Sequence, residues 1–538
     1  MPFDSTQSVG NNAAGDVGDS VTLVAGTCLL VLVTGAAFFL PHQSLWVDET
    51  TQLSGLTLSP VEQVQWLAGE DPQRFGVPGD RMPPLSYWLG WGWSRTIGLS
   101  ELSMRCFSII AAALGCVATV LAGATVGRRA GAWTAGLLYA TSPNVVEQAV
   151  YIRPYPFLLA FSACALWAYV KGSHTTGREQ TRWMSLLVAA AVAAAYTHFF
   201  GLIVGGALLV SWIVANPDRR RTACIAGVVW IVLVSGLIPF VLAADGDSGG
   251  SGWRWPALQE LVRYVYRALV GHPAVAVYAP VALVALVAFV LTMLLALLPR
   301  PSGARVVWGL ASGIVAGSAS VLLVYAFVRE FEPLAPSYNL WRLPMLCVLA
   351  SAAVTLAWPG ARRLAIALIC LMVAIQIFGT VTLARKGPVF ANSASDRVIA
   401  LIESLDREGL TLILPGDEDW GYDWFPIHYH FGASLDGTLG RIEHGRVVLR
   451  PIGGDKTDEP VPLPGSTLLV VRSRPMGSED LSRVLRSAKP GAIRPHALVQ
   501  AIADDSRWRL TQHEIYPATR QSAVWLFQPI PPSLPAAH

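Results

Sequence analysis

Apolar residues in this chain come in long runs separated by short polar gaps, and the runs are of membrane-spanning length. A spanning helix needs roughly 20 mainly apolar residues. Runs of that kind lie near 21–40, 104–126, 130–148, 155–171, 184–198, 199–215, 222–243, 274–298, 306–328, 341–358 and 364–384. Several are short or interrupted by Gly and Pro, which a bundle tolerates when neighbouring helices satisfy the freed backbone groups. The expected fold class is a polytopic α-helical membrane protein with about 11 spans of that length. From about residue 387 the pattern changes to that of a soluble domain. Leu410–Leu414 and Ser466–Val471 read as strands, and Ser393–Leu405 and Ser478–Ala488 as capped helices. An α/β or α+β appendage is expected there.

Between the first two runs, residues 41–103 form a long loop. Ser59-Pro60-Val61-Glu62 has capping-box spacing with Pro at the first helical position, so a short helix should start there. Pro83-Pro84 then breaks the chain. The Trp-rich stretch after it, Leu85 to Trp93, suits the headgroup zone. A second loop, about 244–272, carries Leu258, Leu261, Val262, Val265, Leu269 and Val270 at helical spacing, with Arg263 and Arg267 on another face. An interfacial anchor with snorkelling arginines is the plain reading; a gate over a lipid-phosphate channel is the sharper one.

Composition agrees with the pattern: 53% of the 538 residues are hydrophobic and 14% charged, outside the soluble-domain balance. Charge distribution sets the orientation. Arg128, Arg129, Arg219, Arg220, Arg221, Arg362 and Arg363 fall in one set of short loops, whereas Asp48, Glu49, Glu62, Glu70, Asp71 and Asp80 fall on the opposite side. By the positive-inside rule the N-terminus is cytoplasmic. The expected domains are a cytoplasmic tail 1–20, a membrane domain 21–386 and an extracytoplasmic domain 387–538. No A-x-A signature follows the first run, which reads as an uncleaved helix. All seven cysteines lie in apolar runs, so no disulfide framework is implied.

Chemistry concentrates at the outer ends of the spans. Asp48 and Glu49 follow the first; Arg105 heads the second; Tyr151-Ile152-Arg153-Pro154-Tyr155 joins the third and fourth; His198 sits at a turn; Tyr338 and Arg342 head the tenth. Ionisable groups at a membrane edge are functional candidates, because lipid does not solvate them. A carboxylate that accepts a hydroxyl proton, beside guanidiniums that hold a phosphate, suits displacement of a phosphate leaving group by an alcohol. In the outer domain Trp420, Tyr422 and Trp424 alternate with Asp417, Glu418, Asp419 and Asp423, a mixture suited to sugar binding or to a surface loop. His428 and His430 follow, and no convincing metal-ligand cluster is visible.

These residues resemble a known family. Leu45-Trp46-Val47-Asp48-Glu49 looks like the signature after the first span of GT-C glycosyltransferases of the family 39, protein O-mannosyltransferase-like type. Met82-Pro83-Pro84-Leu85-Ser86-Tyr87 resembles their HPPLYY segment, with Met where His is common. Glu101 to Arg105 resembles the approach to their second span. Ser142-Pro143 followed by Arg153 and Tyr155 is similar to SP…QEARMY, although Val150 and Tyr151 replace its Gln-Glu. Tyr196-Thr197-His198-Phe199-Phe200-Gly201 looks like YTHYFG, and Tyr338 to Pro344 matches RYLLPALP more loosely.

The resemblance implies a glycosyltransferase moving a sugar from polyprenyl phosphate to a hydroxyl outside a bacterial inner membrane, with inversion. Asp48 becomes the general base and Glu49 orients the acceptor or a neighbouring arginine. Arg105, Arg153 and Arg342, with Tyr155 and Tyr338, hold the donor phosphate. His198, Trp420, Tyr422 and Trp424 are candidates for acceptor or sugar contact. The acceptor is a cell-wall polysaccharide, glycolipid or protein, and the chemistry requires no cofactor beyond the lipid-linked donor and no catalytic metal. Only four of the 39 basic residues are lysine, a bias of GC-rich bacterial genomes that favours mannose or arabinose as the sugar. The rival readings are a transporter or flippase for a lipid-linked sugar, in which inverted repeats and broken helices are common, and a scaffold presenting the outer domain.

Overall fold

The computed structural model describes residues 8–70, 80–244, 256–258, 279–298, 304–327, 334, 337–356, 358–386, 393–405, 410–415, 425–427, 429–430, 448–452, 467–475, 493, 495, 497–518 and 520–531. The chain divides into two compact units. One takes Met1–Leu40, Ser59–Gly69 and Arg81–Ala384; the other joins Pro41–Leu58 and Glu70–Asp80 to Arg385–His538.

The first unit is helical. Among the described residues, five helices are long and apolar enough to cross a membrane: Ser20–Phe39, Glu101–Ala140, Pro217–Ala243, Ala304–Ala326 and Pro359–Thr382. Gly201–Ala215 and Leu283–Ala296 are shorter apolar helices. The expected runs at 104–126 and 130–148 share one stretch, Glu101–Ala140, interrupted by non-helical backbone at Gly127 and Arg128. Arg128 has φ 49°, in the left-handed region, and the chain doubles back there. A Cβ on Gly123 would lie 2.5 Å from the carbonyl oxygen of Gly131. Only small residues let two helical arms approach that closely inside a bundle.

Packing separates inner from outer helices. Leu343–Thr355 has 13 residues, and every residue from Leu343 to Val354 is buried. It packs against Glu101–Ala140 and Ala279–Ala296, and the six-residue 3₁₀ turn Ser337–Arg342 leads into it. The expected run 341–358 thus takes the form of a buried helix with a 3₁₀ lead-in. Arg220–Val234, in contrast, turns Ile225, Val228, Ile231 and Val232 outward. Such a face suits lipid rather than water. Polar side chains inside the bundle find local partners: Thr141 Oγ1 donates to Gln376 Oε1 at 2.7 Å, and the Tyr139 hydroxyl to the Ala112 carbonyl at 3.2 Å. The capping box at Pro60–Leu67 carries both of its bonds: Ser59 N–H reaches Glu62 Oε2 at 2.9 Å and Glu62 N–H reaches Ser59 Oγ at 3.4 Å.

The second unit is built on a five-stranded sheet: β1 (Leu410–Pro415), β2 (Val448–Ile452), β3 (Thr467–Pro475), β4 (Trp508–Tyr516) and β5 (Arg520–Pro529). The strand order is β2-β1-β3-β5-β4. β1 runs parallel to β2 and β3, whereas β5 is antiparallel to β3 and β4. Side chains alternate across β3 as a strand demands. Leu469 and Val471 pack under the helix Ser395–Ser404 with Val398 and Ile402; Leu468 and Val470 face Val499 and Ile502 of the helix Ala497–Asp504. Both faces of the sheet are covered, so this appendage is an α/β layer. The expected helix Ser478–Ala488 lies outside the described residues, as does all of the second loop except residues 244 and 256–258.

Gly123→Val should force the two arms apart. Overpacking of a close helix contact costs about 1–3 kcal/mol, and the expected outcome is a lower thermal midpoint of the detergent-solubilised chain.

Candidate functional site

Arg105, 1% exposed, lies one turn into Glu101–Ala140. Its Nε and Nη2 both meet Glu101 Oε1, at 2.8 and 2.7 Å, and its Nη1 donates to the Val150 carbonyl at 2.6 Å. Val150 closes the short helix Pro143–Ala149 and opens the turn that carries Arg153. Arg105 therefore ties the head of one helix to the turn bearing the next candidate cation. A low-dielectric interior strengthens such a fork. In the same turn the Tyr151 hydroxyl donates to Glu147 Oε1 at 2.9 Å.

Arg153, 3% exposed, precedes Pro154 and the helix Tyr155–Ser173. It lies close enough to His198 for its charge to act on the imidazole. His198 caps the C-terminus of Gly177–Thr197 with extended backbone, φ −155°. Its N–H reaches the Ala194 carbonyl at 3.0 Å, and its own carbonyl accepts Gly201 N–H at 2.7 Å. A side chain at Gly201 would run into the Ala194 backbone, so the turn requires glycine at that point. Phe200 N–H donates to His198 Nδ1 at 3.1 Å. A neutral ring whose Nδ1 accepts carries its proton on Nε2. Among the described residues, that buried Nε2 has no hydrogen-bond partner.

Around this donor stand aromatic rings. His198 lies 5.5 Å from Tyr155 and 5.4 Å from Tyr338 between ring centroids, and Tyr338 lies 5.5 Å from Phe200. Tyr338 belongs to the 3₁₀ turn Ser337–Arg342, which packs on Tyr155–Ser173 and ends at Arg342, 6% exposed. The structure thus gathers Arg153, Tyr155, His198 and Tyr338 at one end of the first unit, with Arg342 on the turn that supplies Tyr338. Buried guanidiniums, phenol rings and an imidazole N–H make a surface for an anion with an apolar tail.

Asp48 and Glu49 belong to the second unit, in the first turn of the helix Val47–Gly55. Two carboxylates there gain from the positive end of the helix dipole. Glu49 is fully buried, whereas Asp48 is partly exposed. Trp420, Tyr422, Trp424 and His428 lie outside the described residues. His430 Nε2 stands 2.9 Å from Glu403 Oε1 at the surface. Among the described residues no three His, Cys, Asp or Glu side chains group as metal ligands would. The roles of two acids, Glu101 and Glu147, were not read from the sequence. Glu101 and Arg105 are four apart on a helix, a spacing that brings charges together, and Glu147 stands four before Tyr151 in the same way.

Comparison with known proteins finds two likenesses, one in sequence and one in fold. Residues 81–243, which include Arg105, Arg153, Tyr155 and His198, match the model of the dolichyl-phosphate-mannose-protein mannosyltransferase family. The fold is shared with ArnT from Cupriavidus metallidurans in the apo state, with TM-score 0.53 and 14% identity over 94% of this chain and 97% of that one. ArnT from the same organism bound to undecaprenyl phosphate aligns over the same shares, with TM-score 0.50 and 15% identity. No curated protein matches the chain.

Arg105→Lys keeps the charge but loses the fork. A lost hydrogen bond to a charged group costs about 1.5–3 kcal/mol. Thermal unfolding of the purified chain should show the drop, and Glu101→Gln should lower the midpoint less because Glu101 is 40% exposed.

Proposed function

We propose that this chain is a glycosyltransferase that moves a sugar from polyprenyl phosphate to an acceptor hydroxyl, with inversion, on the extracytoplasmic face of a bacterial cytoplasmic membrane. The observation that carries the reading is the buried His198 Nε2–H, held in an aromatic surround beside Arg153 within the stretch that matches the mannosyltransferase model. The related ArnT structure bound to undecaprenyl phosphate supports a lipid phosphate of that class as the donor's leaving group.

In this reading Arg153 and Arg342 hold the donor phosphate, and Tyr155 and Tyr338 line its path. His198 donates its Nε2 proton to a phosphate or sugar oxygen. Arg105 serves by holding the Arg153 turn. Asp48 accepts the proton as the acceptor oxygen bonds to the anomeric carbon. The bond from that carbon to the phosphate oxygen breaks, and its electron pair leaves with the polyprenyl phosphate. Guanidiniums in a low-dielectric site stabilise the charge that develops on the departing phosphate. Glu49 orients the acceptor or an arginine, and the aromatic segment at Trp420, Tyr422 and Trp424 contacts the acceptor. No catalytic metal is invoked. Mannose and arabinose are the first sugars to try.

The test incubates the full chain in lipid nanodiscs with radiolabelled polyprenyl-phosphate mannose or arabinose and a panel of glycan, glycolipid and peptide acceptors. Asp48→Asn should lower kcat by roughly 10²–10⁴-fold. His198→Ala should lower transfer by about tenfold, the worth of one buried hydrogen bond. Full transfer by Asp48→Asn removes the base assignment, and lipid movement without bond cleavage replaces the enzyme with a transporter.

A further inference from the structure

The helix that carries Asp48 is fastened by residues some 350 positions later. Leu45 lies in the non-helical stretch just before Val47–Gly55, where its carbonyl has no place in the helical ladder. Ser395 Oγ donates to that carbonyl at 2.6 Å, and Ser393 Oγ stands 3.1 Å from it. The two hydroxyl oxygens are 2.8 Å apart, so two protons serve three oxygens. Ser393 Oγ also accepts Ser395 N–H at 3.3 Å.

Both serines are firmly seated. Ser393 and Ser395 are 3% and 1% exposed. Ser393 bridges to Arg520 at the start of β5, and Ser395 opens the helix Ser395–Ser404. Two residues after Leu45, Val47 packs on the cluster formed by Val398, Ile402, Leu412, Leu469 and Leu526. The Val47 carbonyl in turn accepts the Thr50 and Thr51 hydroxyls, each at 2.8 Å. A hydroxyl pair and an apolar anchor therefore pin the backbone on the N-terminal side of Asp48, while Asp48 itself stays partly exposed.

We infer that the C-terminal α/β layer positions the Asp48 helix, with Ser393 and Ser395 as positioning residues for the proposed transfer. Neither serine touches substrate in this scheme. They act through the Leu45 carbonyl, fixing where the carboxylate stands. The inference rests on Asp48 as the base. Misplacement of a reacting group by about 1 Å costs on the order of 10²-fold, so a bracket this short has leverage over the rate without contributing to donor affinity.

The experiment uses the full chain in nanodiscs as wild type, Ser393→Ala/Ser395→Ala, Ser395→Thr and Asp48→Asn. Hydrogen exchange needs no substrate and comes first. In the double variant, amides of 47–52 should exchange faster by on the order of tenfold, as expected for a lost hydrogen bond, while β4 and β5 keep wild-type protection. Transfer kinetics should then show kcat lowered by roughly 10- to 10²-fold with KM for the lipid donor unchanged, and Ser395→Thr, which keeps a hydroxyl, should restore most of it. Unchanged exchange at 47–52 overturns the bracket, as does loosening spread over β4 and β5, which marks a purely structural role. Wild-type kcat in the double variant, with Asp48→Asn inactive, also overturns it. Transfer retained by Asp48→Asn removes the base assignment instead and leaves exchange at 47–52 to decide the bracket by itself.

Discussion

A guanidinium inside an apolar bundle persists only where oxygen atoms meet its N–H groups, and in the first unit Arg105 meets that condition with one carboxylate and one carbonyl. Both partners offset the cost of holding that charge away from water. The consequence is geometric. Glu101–Ala140 and the turn after Pro143–Ala149 are locked together at their ends, and that turn delivers Arg153 beside His198. An arginine at the head of a span usually reads as a snorkelling anchor, but this one points inward and organises its neighbours.

The turn at His198 is built on the same economy of polar groups. Its backbone bonds run to Ala194 and Gly201, its Nδ1 takes the Phe200 N–H, and Gly201 leaves space for the close return of the chain. What remains is a single N–H among phenol rings. Burying such a donor without a partner costs free energy, and that cost is repaid when an acceptor oxygen arrives. A phosphate or sugar oxygen on an apolar lipid answers both the polar and the apolar parts of the surface. The second unit applies a related device to Asp48, with serine hydroxyls and Val47 holding the helix start while the carboxylate stays partly accessible.

Much of this was legible in the residues. The capping box at Ser59 and Glu62 was readable because both of its bonds lie within four residues. The strands at 410 and 467 were readable because short apolar runs bounded by Gly, Pro or charged residues are a local signal. The order of Asp48, Arg105, Arg153, His198 and Tyr338 marked the family resemblance. The doubling of the chain at Arg128 was readable too, since two apolar runs flank the Arg128-Arg129 pair, whereas the close approach of Gly123 to Gly131 was not. The run at 341–358 was readable as apolar, whereas its burial among other helices and its 3₁₀ lead-in were not. Hydropathy registers apolar character without telling lipid from protein as the neighbour. Glu101 was read as part of a motif, and its spacing to Arg105 was there to be used.

The sequence by itself determined the class: a hydropathy sum over a window of about 20 residues depends on nothing outside the window. It also marked which ionisable residues sit at the ends of apolar runs. Tertiary structure alone decided what each of them touches. That Arg105 donates Nη1 to the Val150 carbonyl, that His198 sets its Nε2 among aromatic rings, and that Leu45 is held by serines 348 and 350 residues away all depend on long-range packing. Their geometry arises when distant segments pack, and no local pattern encodes it.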